Sequence, residues 1–268
     1  MIEYNAKRQS FLSYIRINWE YRSLIFSFVK RDIKIKYAQT VLGLVWTVIQ
    51  PIALAAVYIF FFQYVLTIKT EQPYILFVFS GVIMWNIFST TLLQSSMSIQ
   101  QNQELIKKMY FPKSILFFSK AAVALLDGII GWLLMVLLTL WYTGELPWYF
   151  VSSLLFYFPM ILFSLGLSFF VARLAIFKRD ILIVLPFFVQ LSIWFTPVFY
   201  PLTFLPQKWI DLIILYPVNA ILDGFRASFA LNNFSWLPIG LGCAFGIVVF
   251  LGGFFFFGRA EERLMDEL

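Results

Sequence analysis

The sequence holds no histidine, and its one cysteine is Cys243. Without imidazole the usual general base is missing. With a single thiol there is no intramolecular disulfide and no ligand set for a metal cluster. Charge is scarce as well: 13% of the 268 residues carry it, against roughly 25% in a soluble domain. No glycine-rich lysine loop occurs, so ATP is not bound through a P-loop, and the polar segments are too short to fold a nucleotide-binding domain. No repeat of 20–50 residues and no low-complexity tract is evident. The polar, mixed first 20 residues lack an apolar core followed by a small-residue cleavage site. The expectation is that no signal peptide is removed and that the first apolar run serves as the insertion signal.

What is abundant is apolar surface. Hydrophobic residues make up 61% of the chain and mean hydropathy is +0.84, too much for the polar remainder to cover in water. A spanning helix needs roughly 20 mostly apolar residues. Six runs qualify, within 37–68, 72–103, 121–144, 146–172, 181–207 and 227–258, and the third contains one acid, Asp127. A β-barrel would show short alternating segments of roughly ten residues; these are continuous Leu/Ile/Phe/Val runs. With the N-terminus inside, 17 of the 20 basic residues fall on one side, and Lys69, Lys208 and Arg226 on the other. That asymmetry puts both termini in the cytoplasm. The net charge of +6 is therefore a mark of topology and not of nucleic-acid binding.

Residues 19–37 precede the first span. On a helical wheel Ser23, Ser27, Lys30, Arg31 and Lys34 share one sector, and Phe26, Val29, Ile33 and Tyr37 another. Asp32 and Lys36 fit neither. The pattern suits a helix in the cytoplasmic interface; the plainer reading is a basic anchor for the first span. Gln50-Pro51 predicts a kink in that span. Between the second and third spans lies "SSMSIQQNQELIKKMYFPKSILFFSK", too long for a tight turn. It sets Leu105, Met109 and Phe111 among Glu104, Lys107 and Lys108, as a short helix offering apolar side chains to a partner would. "TGELPW" reads as an outer turn, and "ARLAIFKRDI" as a basic hinge exposing Ile176 and Phe177. In 197–235 the apolar stretches are broken by Pro201, Pro206 and Pro217 and by Asp211, Asp223 and Arg226. Two short amphipathic or re-entrant helices are expected there, tolerable at membrane depth only where protein shields them.

Catalytic chemistry is hard to assemble from these residues. Asp127 is the one acid clearly inside a span, with Gly128 and Gly131 beside it to allow close helix approach. An intramembrane acid is a functional candidate by default. With no basic mate evident, a structural role ranks ahead of proton coupling. Aromatic residues form 21% of the chain. Membrane interfaces and apolar cores absorb most of them. Tyr58, Trp85, Trp194, Phe199 and Tyr200 sit where a conduit for sugar rings would run, by stacking of the kind aromatic platforms provide.

"RDIKIKYAQTVLGLVWTVIQP" (31–51), "KKMYFPKSIL" (107–116), "FKRDI" (177–181), "WFTPVFYP" (194–201) and "YPVN" (216–219) occur in an order and spacing that resembles the membrane subunit of ABC-2 type polysaccharide exporters, in the O-antigen and lipopolysaccharide branch. The resemblance implies one all-α transmembrane domain over 1–268. It has six transmembrane helices, an interfacial helix at 19–37, a coupling helix within 100–116 and outer gate helices within 201–232. It implies a homodimer working with two copies of a separate ATP-binding subunit, which binds the ATP and magnesium; this chain binds no cofactor. Docking on that subunit falls to Glu104, Leu105, Lys107, Lys108, Met109, Tyr110 and Phe111, with Phe177, Arg179 and Asp180 as a second contact. The implied substrate is a glycan on undecaprenyl pyrophosphate, moved across the bacterial inner membrane. Lys30, Arg31 and Lys34 would attract its pyrophosphate, or anionic membrane lipid. The rival readings are an ion-coupled carrier, a membrane glycosyltransferase and a drug- or lipid-exporting relative.

Overall fold

The structure, a computed structural model, describes residues 11–37, 43, 45–68, 70, 72–214, 216–229 and 236–267. Among them there is no β-strand. Two helices, α1 (Phe11–Glu20) and α2 (Arg22–Tyr37), precede the apolar part of the chain. The first apolar run forms α3 (Val45–Tyr58), with Pro51 inside it, and continues as a π-helical stretch over Ile59–Val65. Then come α4 (Tyr74–Gln101), the short α5 (Gln103–Lys108) and α6 (Ser114–Thr143). A 3-10 stretch, Phe150–Phe156, leads into α7 (Tyr157–Phe177). The order closes with α8 (Asp180–Ser192), α9 (Gln207–Ile214), α10 (Pro217–Ala227) and α11 (Trp236–Glu267).

Among the described residues, five helical segments are long and apolar enough to cross a membrane: Val45–Val65, Tyr74–Gln101, Ser114–Thr143, Phe150–Phe177 and Gly240–Arg259. The expected sixth, within 181–207, is not among them. There α8 has 13 residues and a 3-10 turn adds three, about 24 Å of helix, and the run goes on as buried irregular backbone at Val198–Tyr200 in place of the regular helix that a core of about 30 Å asks for. The physical reason is the backbone just beyond α8. Pro197 and Pro201 bracket a segment that turns back into the protein, burying Val198, Phe199 and Tyr200. Its carbonyls are satisfied from the side. Tyr74 donates its hydroxyl to the Phe199 carbonyl at 2.5 Å and Arg226 donates to that of Val198 at 2.9 Å. Irregular backbone is tolerated at such depth when protein supplies the missing partners.

Helix α4 is the axis of the packing. In its most apolar stretch 72% of residues are buried, against 11% in the first span. It contacts α3, α6, α7, α8 and α10. Without a hydrophobic drive between helices in lipid, close contact depends on small residues. A Cβ on Gly128 would lie 2.6 Å from Cδ1 of Ile87, so the Gly128/Gly131 face of α6 meets α4 as its glycines suggest. The same device joins α7 to α11, where a Cβ on Gly166 would stand 2.6 Å from the backbone of Val249. Helix α6 ends at Gly144 (φ 74°), whose N–H bonds the Leu140 carbonyl at 3.0 Å, and the "TGELPW" turn comes next.

The face of α2 that meets the rest of the protein lies outside both sectors of the wheel. Contacts rise together along α2 and α6: Phe28 meets Phe111 with ring centroids 5.6 Å apart, Asp32 pairs with Lys120 at 3.0 Å, and Lys36 pairs with Asp127. Thus α2 runs along the first half of α6. Its buried residues are Phe28 and Asp32, while Phe26, assigned to the apolar sector, is 74% exposed. Asp32 and Lys36, the two residues that fit no sector, are the two that form ion pairs to α6. At the other end of the chain α11 runs on through the charged residues after Gly258 to Glu267, and Glu261 is buried.

Two short helices, α9 and α10, follow α8 where the prolines break the apolar run. Helix α10 buries eight of its 11 residues, among them Arg226. Arg226 pairs with Asp223 at 3.6 Å, donates to Ser80 Oγ and to the carbonyls of Phe77 and Val198, and covers the Phe77 ring. Residues 230–232 of the expected gate segment lie outside the described residues, as do residues 1–10.

Candidate functional site

Three groupings emerge. The first is an edge at one end of the bundle. Ile106 of α5 and Ile176 of α7 pack on the same apolar cluster, built from Ile99, Phe117, Phe169 and Phe257. That shared cluster places the two expected partner contacts at the same end. Glu104, Lys107, Lys108, Met109 and Tyr110 are exposed there, and so are Phe177, Arg179 and Asp180. Two residues expected to face a partner do not. Phe111 is 1% exposed, packed with Phe28, Ile115 and Leu116, and Leu105 is half-buried against that cluster. Ile176 is likewise half-buried. Apolar residues in a short polar segment thus serve two masters: some anchor the segment and others cover its outer face.

Behind this edge lies a buried polar group that nothing local in the sequence suggests. Glu261 of α11 accepts a hydrogen bond from the Tyr14 hydroxyl at 2.5 Å and another from the backbone N–H of Lys113 at 2.5 Å. The Lys113 ammonium stands 3.6 Å from the same carboxylate. Beside it, Ser114 donates to Asn18 Oδ1 at 2.5 Å. Helix α1, the start of α6 and the end of α11 are tied together here. Burial pushes the Glu261 carboxyl above the usual carboxylate range, with Lys113 opposing; burial also pushes the Tyr14 hydroxyl up.

The second grouping is aromatic. Phe199 sits at its centre, 4.7 Å from the rings of both Tyr58 and Phe62, 4.9 Å from Trp194 and 5.4 Å from Tyr200. Four of the five aromatic candidates therefore come together, and Phe62, which sequence reasoning does not single out, joins them. Trp85 stands apart, buried on α4 with its ring 5.3 Å from that of Phe88. Trp194 is exposed, whereas Phe199 and Tyr200 are buried.

The third grouping surrounds Asp127, and it corrects the reading of that residue as an acid without a basic mate. Lys36 pairs with Oδ2, and the Tyr37 hydroxyl donates to Oδ1 at 2.7 Å. Tyr37 and Thr47 share a hydrogen bond of 2.9 Å. These residues line a cavity of about 440 Å³ between the end of α2 and helices α3, α4 and α6; Trp46, Gln50, Asn86 and Thr90 complete its polar and aromatic wall. The signal is present in the sequence as Lys36, a charge out of phase with its helix. Of the basic cluster, Lys30 and Lys34 are exposed, while Arg31 is half-buried, bonds Asp32 at 2.8 Å and covers the Phe28 ring.

A helical bundle with five segments long and apolar enough to cross a membrane among its described residues and a charged edge at one end describes a multi-pass membrane protein. The chain belongs to the ABC-2 type transporter family, whose pattern it matches over residues 23–230. Membership makes it a multi-pass transport subunit that works with an ATP-binding partner, and not an enzyme. Among its relatives are two O-antigen export system permease proteins RfbA from Klebsiella pneumoniae. Each is 24% identical, over 247 and 252 residues, covering 91% of this chain and 95% of the relative. The RfbA permease of Myxococcus xanthus is 27% identical over 218 residues, 80% of this chain and 83% of that protein.

Proposed function

We propose that this chain is the transmembrane subunit of an ATP-driven exporter. Its substrate is a polysaccharide, most simply an O-antigen, carried on undecaprenyl pyrophosphate from the cytoplasmic to the outer face of the bacterial inner membrane. The carrying observation is the exposed edge made by Glu104, Lys107, Lys108, Met109 and Tyr110 beside Phe177, Arg179 and Asp180. Charged and apolar groups interleave there, as a docking face for a soluble partner requires. That partner is a pair of ATP-binding subunits, which hold the ATP and magnesium. Two copies of this chain form the path, with both termini cytoplasmic and residues 1–268 acting as one domain. Lys30 and Lys34 keep their ammonium groups exposed and suit a pyrophosphate arriving from the cytoplasmic leaflet; Arg31, engaged by Asp32, contributes less. The names of the relatives and the ordered motifs support the glycan as cargo.

The test is deletion of the gene, with tracking of the lipid-linked glycan. Glycan trapped on the cytoplasmic face supports the reading, provided that the intact gene restores export and that a version with 105–111 replaced by a polar linker does not. Normal surface glycan after deletion, in a cell with no second exporter, sinks it. Loss of the glycan itself would point to a membrane enzyme.

A further inference from the structure

We infer that the cavity between α2, α3, α4 and α6 is a binding site for a short, uncharged segment of sugar. This rests on the glycan-export reading and adds a site to it, apart from the Phe199 aromatic cluster. The argument begins with unmet hydrogen bonds. Among the described residues, none donates to or accepts from the side chains of Gln50, Asn86 or Thr90, all of which line the cavity. Asn86 and Thr90 lie one turn apart on α4, within a span. Asn86 and Thr90 are half-buried and Gln50 is exposed, so their open donors and acceptors face the cavity, where water or a guest completes them. Convergent open polar groups in a cavity of about 440 Å³ fall within the size of small-molecule sites, roughly 300–1,000 Å³.

The charges choose the class of guest. Lys36 is neutralised by Asp127, whose other oxygen is capped by the Tyr37 hydroxyl, so the group has no spare cation. A phosphate approaching Lys36 meets the Asp127 carboxylate at once. A vicinal diol meets neither objection: two carboxamides and a hydroxyl donate and accept in turn. Trp46, on the same wall and 55% exposed, offers a flat face to the C–H side of a sugar ring. The charged end of the substrate is thereby excluded from the cavity and its glycan admitted.

The test uses the full exporter in cells that assemble the glycan. A photoreactive benzoyl-phenylalanine is placed at Thr90 and, separately, at Trp194. After illumination, adducts on the membrane-extracted protein are read with antiserum to the glycan and by mass. A glycan adduct at Thr90 that vanishes when glycan assembly is blocked is expected. The pair Asn86→Leu and Thr90→Val is expected to lower surface glycan about tenfold at equal protein level, as two lost hydrogen bonds would. Glycan captured at Trp194 but never at Thr90 overturns the cavity site and leaves the exporter standing. A phospholipid adduct alone at Thr90 also overturns it. Absence of glycan at both positions, with surface glycan unaffected by gene deletion, overturns both readings.

Discussion

Two groups in this molecule share one chemistry: a carboxylate held between a lysine ammonium and a tyrosine hydroxyl. In the Tyr14–Glu261–Lys113 group the side chains of Lys113 and Glu261 are 3% and 10% exposed. In the Lys36–Asp127–Tyr37 group Lys36 and Asp127 are 40% and 21% exposed, at the mouth of a cavity. The first ties α1, the start of α6 and the end of α11 into one unit behind the exposed edge. The second stands open to the cavity between α2, α3, α4 and α6. Burial, and not composition, sets the two groups apart. Removing a partner from a fully enclosed pair strands a charge, whereas a pair open to solvent loses little.

The largest expected effect is therefore at the enclosed pair. Glu261→Ala leaves the Lys113 ammonium, its backbone N–H and the Tyr14 hydroxyl without their acceptor. Loss of about 3–5 kcal/mol is expected, seen as a collapse of the monodisperse fraction and of Tm in detergent. Asp127→Ala is expected to cost about 1 kcal/mol or less in the same assay. Equal losses at both positions would break the comparison. A second pair sharpens it at the edge itself. Phe111→Ala, inside the Phe28 cluster, is expected to cost about 3–5 kcal/mol. Met109→Ala, two residues away and exposed, is expected to stay within about 0.5 kcal/mol.

A smaller effect is the pH dependence of the enclosed group. Burial raises the Glu261 carboxyl in the folded chain above its value in the unfolded one. Between those two values the folded state binds more protons, so stability falls as pH rises through the window and is constant below it. The slope is at most about 1.4 kcal/mol per pH unit. Relative to Glu261→Gln, which cannot titrate, the wild type is expected to lose Tm steadily as pH rises from the ordinary carboxylate range. A constant difference between the two proteins across that range would show that the carboxyl is not raised.

How far the sequence reaches is instructive at particular residues. The apolar runs, the short helix around Glu104 and Lys107 and the short helices around Pro217 are legible because length, charge and proline placement are local properties. Asp127 stands out in the sequence, but its partner does not, because Lys36 lies 91 positions away and has no place on a wheel drawn for a lipid surface. The run at 181–207 reads as one regular helix because an uncharged run does not reveal that Arg226 and Tyr74 will cap the carbonyls of a buried turn. The Glu261 group is invisible because a charged terminal segment normally means solvent. In each case the missing information is long-range pairing of polar groups. The out-of-phase charges Asp32 and Lys36 are its local trace.

The smallest effect on stability carries the sharpest functional consequence. Lys107→Glu with Lys108→Glu reverses two charges on the exposed face of α5, where no buried group among the described residues depends on them. Folding is expected to change by no more than about 0.5 kcal/mol. Docking through complementary charge is a different matter, since like-charge contacts at an interface weaken encounter and register. The doubly substituted chain is therefore expected to reach the membrane at normal level and Tm but to lose copurification with the ATP-binding subunit, increasingly so as salt is lowered. Low salt is the discriminating condition because repulsion across the contact is least screened there. If copurification and its salt response match the wild type, the edge formed by α5 is not where the partner sits. The contact would then have to be sought around Phe177, Arg179 and Asp180 alone.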